Sequence, residues 1–178
     1  MCSSDLMVAQ AGLGGALRLR GDYASARRLL EQAVGMAAEA ALPYDEALFL
    51  AALIRLHCQI GDQAAATQRY DQLTQLLAHV KLPKECQLYA YLAAASKAHA
   101  AGVAQEALQY AEQAELVNQQ GGDILFRLVD TALILGHMRA AVGQAEAATA
   151  AFGQALAAFE HFGNRALAAE PQAGLAGI

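Results

Sequence analysis

Four glycines recur along the 178-residue chain at almost constant intervals. Gly21, Gly61, Gly102 and Gly143 are separated by 40, 41 and 41 residues. Other columns keep the same register, with alanine five residues after each glycine and glutamine eleven residues after it. These are Ala26, Ala66, Ala107 and Ala148, and Gln32, Gln72, Gln113 and Gln154. Only 15 of the 178 residues are glycine, so chance does not explain the spacing. The sequence therefore predicts a tandem repeat and not one compact core.

Each repeat unit is predicted to form two helices joined at its glycine. In the first unit an apolar helical pattern ends at Gly21, and Asp22 follows as a natural N-cap for a second helix. Asp62 repeats this cap, whereas Val103 and Gln144 replace it in the third and fourth units, so we expect those turns to be less firmly set. The predicted helices are 7–20, 22–39, 44–60, 62–79, 84–101, 103–118, 124–142, 144–161 and 165–178.

The connections between units also recur, and small residues mark where the helices of a pair meet. Leu42-Pro43 and Leu82-Pro83 lie 40 residues apart, and Gly121-Gly122-Asp123 and Gly163-Asn164 take the same places later. Small residues stand seven positions before three of the turn glycines, where we expect the paired helices to approach closely. They are Gly14, Ala95 and Gly136. One pair is too thin to bury its apolar faces, so the pairs must stack into an all-α solenoid.

The composition of the chain argues against several classes of function. The chain is 56% hydrophobic and 16% charged with a formal net charge of −5, which offers no basic surface for nucleic acid or for anionic lipid. The longest stretch without a charged residue, 147–159, is too short to cross a membrane. No secretory signal opens the chain, so we expect a cytoplasmic protein. Cys58 and Cys86 form no CxxC pair and are expected to be structural thiols.

The repeat resembles the tetratricopeptide repeat (TPR). The first unit carries its pattern as Leu13, Gly14, Leu17, Gly21, Tyr23, Ala26, Leu30 and Ala33, and the fourth as Leu135, Gly136, Gly143, Ala148, Phe152 and Ala155. The second unit departs from it at Ile54 and Leu73, and the third at Ala94 and Ala111. This resemblance implies a right-handed α-α superhelix of about four full repeats plus a truncated fifth. It also implies a non-enzymatic scaffold that binds protein or peptide on its concave face.

The usual period of that family is 34 residues, and the longer period here is similar to another group of helical repeats. These are the sensor regions of large bacterial signalling ATPases, including MalT-type and LuxR-type transcriptional regulators and related cyclases and kinases. The resemblance implies the regulatory region of a larger signal-transduction protein, whose other domains are possible partners. The alternatives are a stand-alone TPR adaptor and, in a different class, a helical enzyme with its site in the groove.

The domain organisation follows from the same alignment. Residues 7–178 form a single array whose units lie at about 7–41, 42–81, 82–122 and 123–163, with a partial unit at 164–178. The segment 172–177 nearly duplicates 10–15 four periods earlier, which identifies that fifth unit. Residues 1–6 are expected to be a non-native leader, because Cys2 to Leu6 can be back-translated as the end of a sequencing adapter.

The resemblance also implies which residues line the concave face. The family's groove positions, carried over by their offset from each turn glycine, give the candidate partner-binding residues Arg18, Arg55, Tyr89, His99 and His137. The two arginines and two histidines form a weakly basic inner strip that suits an acidic peptide segment. The alternative is that they are ordinary solvated helix residues, since arginine often lies along apolar surface for packing alone.

The sequence contains none of the usual motifs for catalysis or for cofactor binding. Gly12 and Gly14 stand in a helical context with no Gly-Lys-Ser/Thr, so a phosphate loop is not expected. The five histidines have no carboxylate or cysteine at ligand spacing, and the carboxylates form no acid and base pair. We therefore expect no catalytic residues, no metal, no cofactor and no nucleic-acid or membrane contact by this segment.

Overall fold

The computed structural model describes residues 3–81, 83, 85–120 and 125–178. Within these ranges it contains nine α-helices, one short 3₁₀ turn at Arg165–Leu167 and no strand. The helices are α1 (Ser3–Leu19), α2 (Tyr23–Glu39), α3 (Pro43–Gln59), α4 (Gln63–His79), α5 (Glu85–Ala100), α6 (Ala104–Gln119), α7 (Leu125–Ala141), α8 (Ala145–His161) and α9 (Ala169–Ala176). The predicted all-helical repeat is confirmed, and eight of the nine helices agree with the predicted ranges to within a few residues at each end.

Two parts of the helix prediction need correction or fall outside the description. The α1 helix begins at Ser3, four residues before the predicted start, so residues 3–6 continue it. The last predicted helix, 165–178, is divided into the 3₁₀ turn and the eight-residue α9. Residues 1, 2, 82, 84 and 121–124 lie outside the described residues, and with them part of the expected leader and of two connections. The non-native origin of the leader stays a prediction.

All four repeat glycines adopt the same left-handed backbone. Their φ angles are +80°, +79°, +80° and +78° along the chain, a region in which a Cβ would be strained. At the first turn the N–H of Gly21 donates to Arg18 O at 3.0 Å, and the N–H of Asp22 donates to Leu17 O at 3.0 Å. The same two bonds recur at the other three turns. The period in the sequence is therefore a period in backbone hydrogen bonding.

The helices that follow these turns differ in how they are capped. Asp22 and Asp62 each accept a hydrogen bond from the backbone N–H three residues on, at 3.2 and 3.1 Å. Val103 and Gln144 make no such side-chain bond. The capping difference is as predicted, yet the turn geometry is the same in all four units. The reason is that the bonds closing each turn use backbone groups alone.

The two helices of a pair meet where a small residue faces a large one. A Cβ built on Gly136 would lie 2.6 Å from the ring of Phe152, and one built on Gly14 would lie 3.0 Å from Leu30 Cγ. In both units the small residue stands seven positions before the turn glycine and the large residue nine positions after it. In the first and fourth units, the turn and this contact together fix how the helix pair folds back on itself.

Successive pairs stack in order along the chain. The second helix of each unit packs against the first helix of the next, as in α2 on α3, α4 on α5 and α6 on α7. The first helices α1, α3, α5 and α7 form the inner row, and the second helices lie outside it. The fold is a helix-pair solenoid. The hand of the superhelix stays a prediction.

The inner row curves enough to bring the first unit to the fourth. Leu19 at the end of α1 is buried in a cluster with Val129 and Leu133 of α7 and Phe152 of α8. At the other side of α1, Leu13 is 53% exposed, although its counterpart Leu53 is fully buried.

Candidate partner-binding groove

The inner row of helices encloses a groove of about 910 Å³. Its walls come from α1, α3, α5, α7 and α9, with Tyr23 and Phe152 contributed by the outer helices. Every inner helix presents residues near its C-terminal end, just before the turn glycine, because the repeat places the same part of each unit at the same depth. The groove is thus a direct product of the repeat.

Four of the five predicted binding residues line this groove. They are Arg18, Arg55, His99 and His137. Tyr89 does not: it is only 9% exposed and belongs to the hydrophobic core. Burial raises the pKa of the Tyr89 hydroxyl to about 12, so this group stays neutral at physiological pH. The expectation that Tyr89 lies on the binding face is corrected by its burial in the core.

The two arginines are not an open basic strip, because both are paired with one carboxylate. Arg18 Nη2 donates to Asp130 Oδ1 at 3.1 Å, and Arg55 Nη2 donates to Asp130 Oδ2 at 2.7 Å. The three side chains are only 8%, 10% and 11% exposed. These bonds join α1, α3 and α7 across the groove, over 112 residues of sequence between Arg18 and Asp130. Burial makes the pairing obligatory, since an unpaired charge here would be strongly destabilising.

Glu170 of α9 completes the network. Its Oε2 accepts from Arg18 Nη1 at 3.3 Å, and its Oε1 lies 3.2 Å from His137 Nε2. Burial by itself would raise the pKa of Glu170, but the hydrogen bond with His137 and the charge of Arg18 outweigh it and lower the pKa. Arg18 Nη1 also donates to Gln59 at 3.3 Å. The carboxylate is therefore ionised and held from two sides.

The groove is close to electrically balanced as a result. Two guanidinium groups face two carboxylates within the network. Burial, reinforced by the charge of His137, lowers the pKa of His99, which favours a neutral imidazole on the groove wall at pH 7. Apolar contributions come from Leu133, Ile134 and Met138. The arrangement suits contact with a mixed polar and apolar surface.

Sequence reasoning missed how the groove residues pair. Asp130 stands at a groove position by its offset from Gly143, but nothing local shows that it pairs with arginines of the first and second units. Glu170 lies in the partial fifth unit, outside the columns that the glycines define. Arg18 is separated from Asp130 by 112 residues and from Glu170 by 152, and no sequence pattern links residues so far apart.

The titratable side chains around the groove limit which chemistry can be assigned to it. Among the described residues, no group of three or more histidine, cysteine, aspartate or glutamate side chains could hold a metal ion. Burial raises the pKa of the Cys58 thiol to about 11, so the thiolate that a nucleophile requires is scarce at neutral pH. The buried carboxylates are engaged by arginines.

A search for similar proteins gives a structural likeness only. The chain is similar to a thermophilic TPR protein of Thermus thermophilus, with 21% identity over 95% of this chain and 89% of that one and a TM-score of 0.47. No protein-family model matches the sequence, and no curated protein does. The helix-pair architecture accordingly rests on the turns and contacts described above.

No helix in the described part of the chain combines the length and the apolar character that spanning a membrane requires.

Proposed function

We propose that this chain is a protein-interaction module that binds a segment of a partner protein in its inner groove and has no catalytic activity of its own. The observation that carries the proposal is the groove itself, a concave surface of about 910 Å³ built on rigid helix pairs. Extended concave surfaces of stacked repeats are suited to binding other chains. The charged groove residues Arg18, Arg55, Asp130 and Glu170 support this proposal, because they pair with one another and do not form a free acid and base pair.

The chemistry of the wall describes the segment that fits. His99 and Ser96 line the groove beside the apolar residues of α7, so a partner can gain both hydrogen bonds and apolar burial. The predicted preference for acidic peptides no longer follows from Arg18 and Arg55, which are neutralised within the chain. We propose that a partner gains affinity from polar contacts on the groove wall together with apolar contacts.

Two settings for this module follow from the resemblances in the sequence. The first is the sensor region of a larger cytoplasmic bacterial regulator, in which other domains of the parent chain occupy or release the groove. The second is a stand-alone adaptor. Sequencing the surrounding DNA distinguishes them: an in-frame P-loop ATPase or helix-turn-helix supports the regulator, and its absence from the complete reading frame supports the adaptor.

The binding proposal is tested with a matched pair of substitutions. Peptides are selected from a displayed random library against the wild-type chain, and their Kd values are measured on His99→Glu and His79→Glu. Both histidines lie in the last turn of a helix, so both glutamates place a negative charge at an unfavourable helix end. His99 lines the groove and His79 is exposed on the outer helix α4.

We expect His99→Glu to weaken the selected peptides by about tenfold or more, which is about 1.4 kcal/mol, and His79→Glu to leave their Kd within about twofold. Circular dichroism at 222 nm verifies that both variants fold. Equal effects of the two substitutions, or no peptide that depends on His99, would contradict binding in the groove.

A further inference from the structure

The α9 helix forms one wall of the groove with few buried contacts. It has eight residues, and the 3₁₀ turn at Arg165–Leu167 connects it to the fourth unit. Within the helix only Pro171 is buried, whereas α3 buries eight residues. In the described chain α9 packs against α7 and α8, and Glu170 reaches Arg18 of α1.

At the first of these contacts, Arg18 and His137 form a binding site for a carboxylate, which is part of what we call the seat. Arg18 and His137 hold the two oxygens of Glu170 at 3.3 and 3.2 Å. The other amino group of Arg18 is fixed by Asp130 at 3.1 Å. The guanidinium therefore keeps a partner if Glu170 leaves, and it stays oriented for another carboxylate.

The second contact involves the residue one helical turn later. A Cβ built on Gly174 would lie 2.5 Å from Cζ of Phe152, whose side chain is 1% exposed. The imidazole of His137 meets the same ring edge-on, with 5.0 Å between the ring centroids. Residues four apart lie on the same helix face, so Arg18, His137 and Phe152 recognise a glutamate and a glycine together.

We propose that the seat formed by Arg18, His137 and Phe152 binds a helix of the partner that carries glutamate followed four positions later by glycine, and that α9 is an internal competitor for this seat. This inference rests on the proposed function, because it names a partner of the same groove. The charge of the seat is complementary to such a helix, and α9 shows the geometry of the bound form.

Competition follows from the covalent linkage of α9 to the groove. A tethered segment has an effective concentration on the order of millimolar, so it suppresses binding of an identical segment added in solution. A substitution that weakens docking of α9 without altering the seat therefore raises the affinity for the added segment. Glu170→Gln removes the charge that α9 contributes, and Gly174→Val introduces a side chain that meets Phe152.

The experiment uses a fluorescein-labelled peptide of residues 165–178 and the full chain. Its binding is measured by fluorescence anisotropy on the wild type, Glu170→Gln and Gly174→Val, with Glu112→Gln as the matched control. Glu112 is exposed on the outer helix α6, so this control changes the same charge away from the groove. A second peptide carries glutamine in place of its glutamate.

We expect about tenfold tighter binding to both α9 variants than to the wild type, no change with Glu112→Gln, and loss of binding for the glutamine peptide. The two variants weaken α9 through different contacts, so failure of one to fold leaves the other informative. Unchanged affinity in a folded variant overturns the competitor. If peptides that depend on His99 still bind, the seat alone is wrong. If this peptide binds the variants but no selected peptide depends on His99, the proposed groove function is wrong instead.

Discussion

The contact between Gly136 and Phe152 gives the sharpest prediction about stability. Replacing Gly136 by alanine places a Cβ 2.6 Å from the ring of Phe152, and Gly174 closely approaches the Cζ and Cε1 atoms of the same ring. Overpacking of a core typically costs about 1–3 kcal/mol. The same substitution removes a helix-interior glycine, which gains about 0.5–1 kcal/mol. The net expectation is destabilisation by about 0–2.5 kcal/mol.

Two other glycines of the chain calibrate this value. Gly15 lies within α1 with nothing within 4 Å of a built Cβ, so Gly15→Ala should stabilise by about 0.5–1 kcal/mol. A Cβ on Gly14 would lie 3.0 Å from Leu30 Cγ and in ordinary contact with the backbone oxygen of Ala26 at 3.4 Å, so its substitution should be close to neutral. The three variants therefore separate helix propensity from crowding.

Thermal unfolding followed by circular dichroism measures the series. For a chain of this size about 1 kcal/mol corresponds to about 2–4 °C in Tm, so Gly136→Ala should melt several degrees below Gly15→Ala. Adding Phe152→Leu should cost less in the Gly136→Ala background than in the wild type, because the smaller side chain relieves the clash. Equal stability of Gly136→Ala and Gly15→Ala would refute the proposed close packing of α7 on α8.

Three further predictions concern the turns, the caps and pH. Gly61→Ala should destabilise by about 1–2 kcal/mol because Gly61 has φ +79°, whereas Ala41→Gly should stabilise because Ala41 has φ +53°; urea unfolding compares them. Asp62→Ala should cost about 1 kcal/mol by loss of its cap, and Val103→Asp should gain a similar amount, both also measured by urea unfolding. Because the pKa of Glu170 is lowered in the folded chain, its carboxylate stabilises the fold above its ordinary pKa of 4.5, and this stabilisation is lost as pH falls through the folded value. The Tm difference between wild type and Glu170→Gln should therefore shrink below pH 4.5. A Tm difference that stays constant with pH contradicts the ion pair.

The parts of this fold that sequence predicts are those with local causes. Gly21 and Asp22 act on their own turn, because the positive φ and the cap depend on residues a few positions away. The small residues Gly14 and Gly136 act within one helix pair, so the period reveals them as well. These features recur because each unit solves the same local problem.

The groove could not be predicted in the same way, since it depends on how small rotations between units add up. The pairing of Arg18 with Asp130 requires the first and fourth units to meet, and no pattern within one unit encodes that distance. Leu13 shows the converse, because it matches a core column yet is 53% exposed. Tyr89 likewise matches a groove position but is buried, so offset from the turn glycine fixes position along a helix better than it fixes exposure.

The meeting of α1 and α7 across the groove is the central structural claim, and a double-mutant cycle between Arg18 and Asp130 tests it most directly. The first cycle combines Arg18→Met with Asp130→Asn. The control cycle combines Arg18→Met with Glu160→Gln, because Glu160 is exposed on α8. Direct contact between the two charged side chains should give a coupling energy of about 1–2 kcal/mol between residues 18 and 130 in urea unfolding. Additivity of the Arg18 and Asp130 variants within about 0.5 kcal/mol, as predicted for the control pair, would contradict the closed groove.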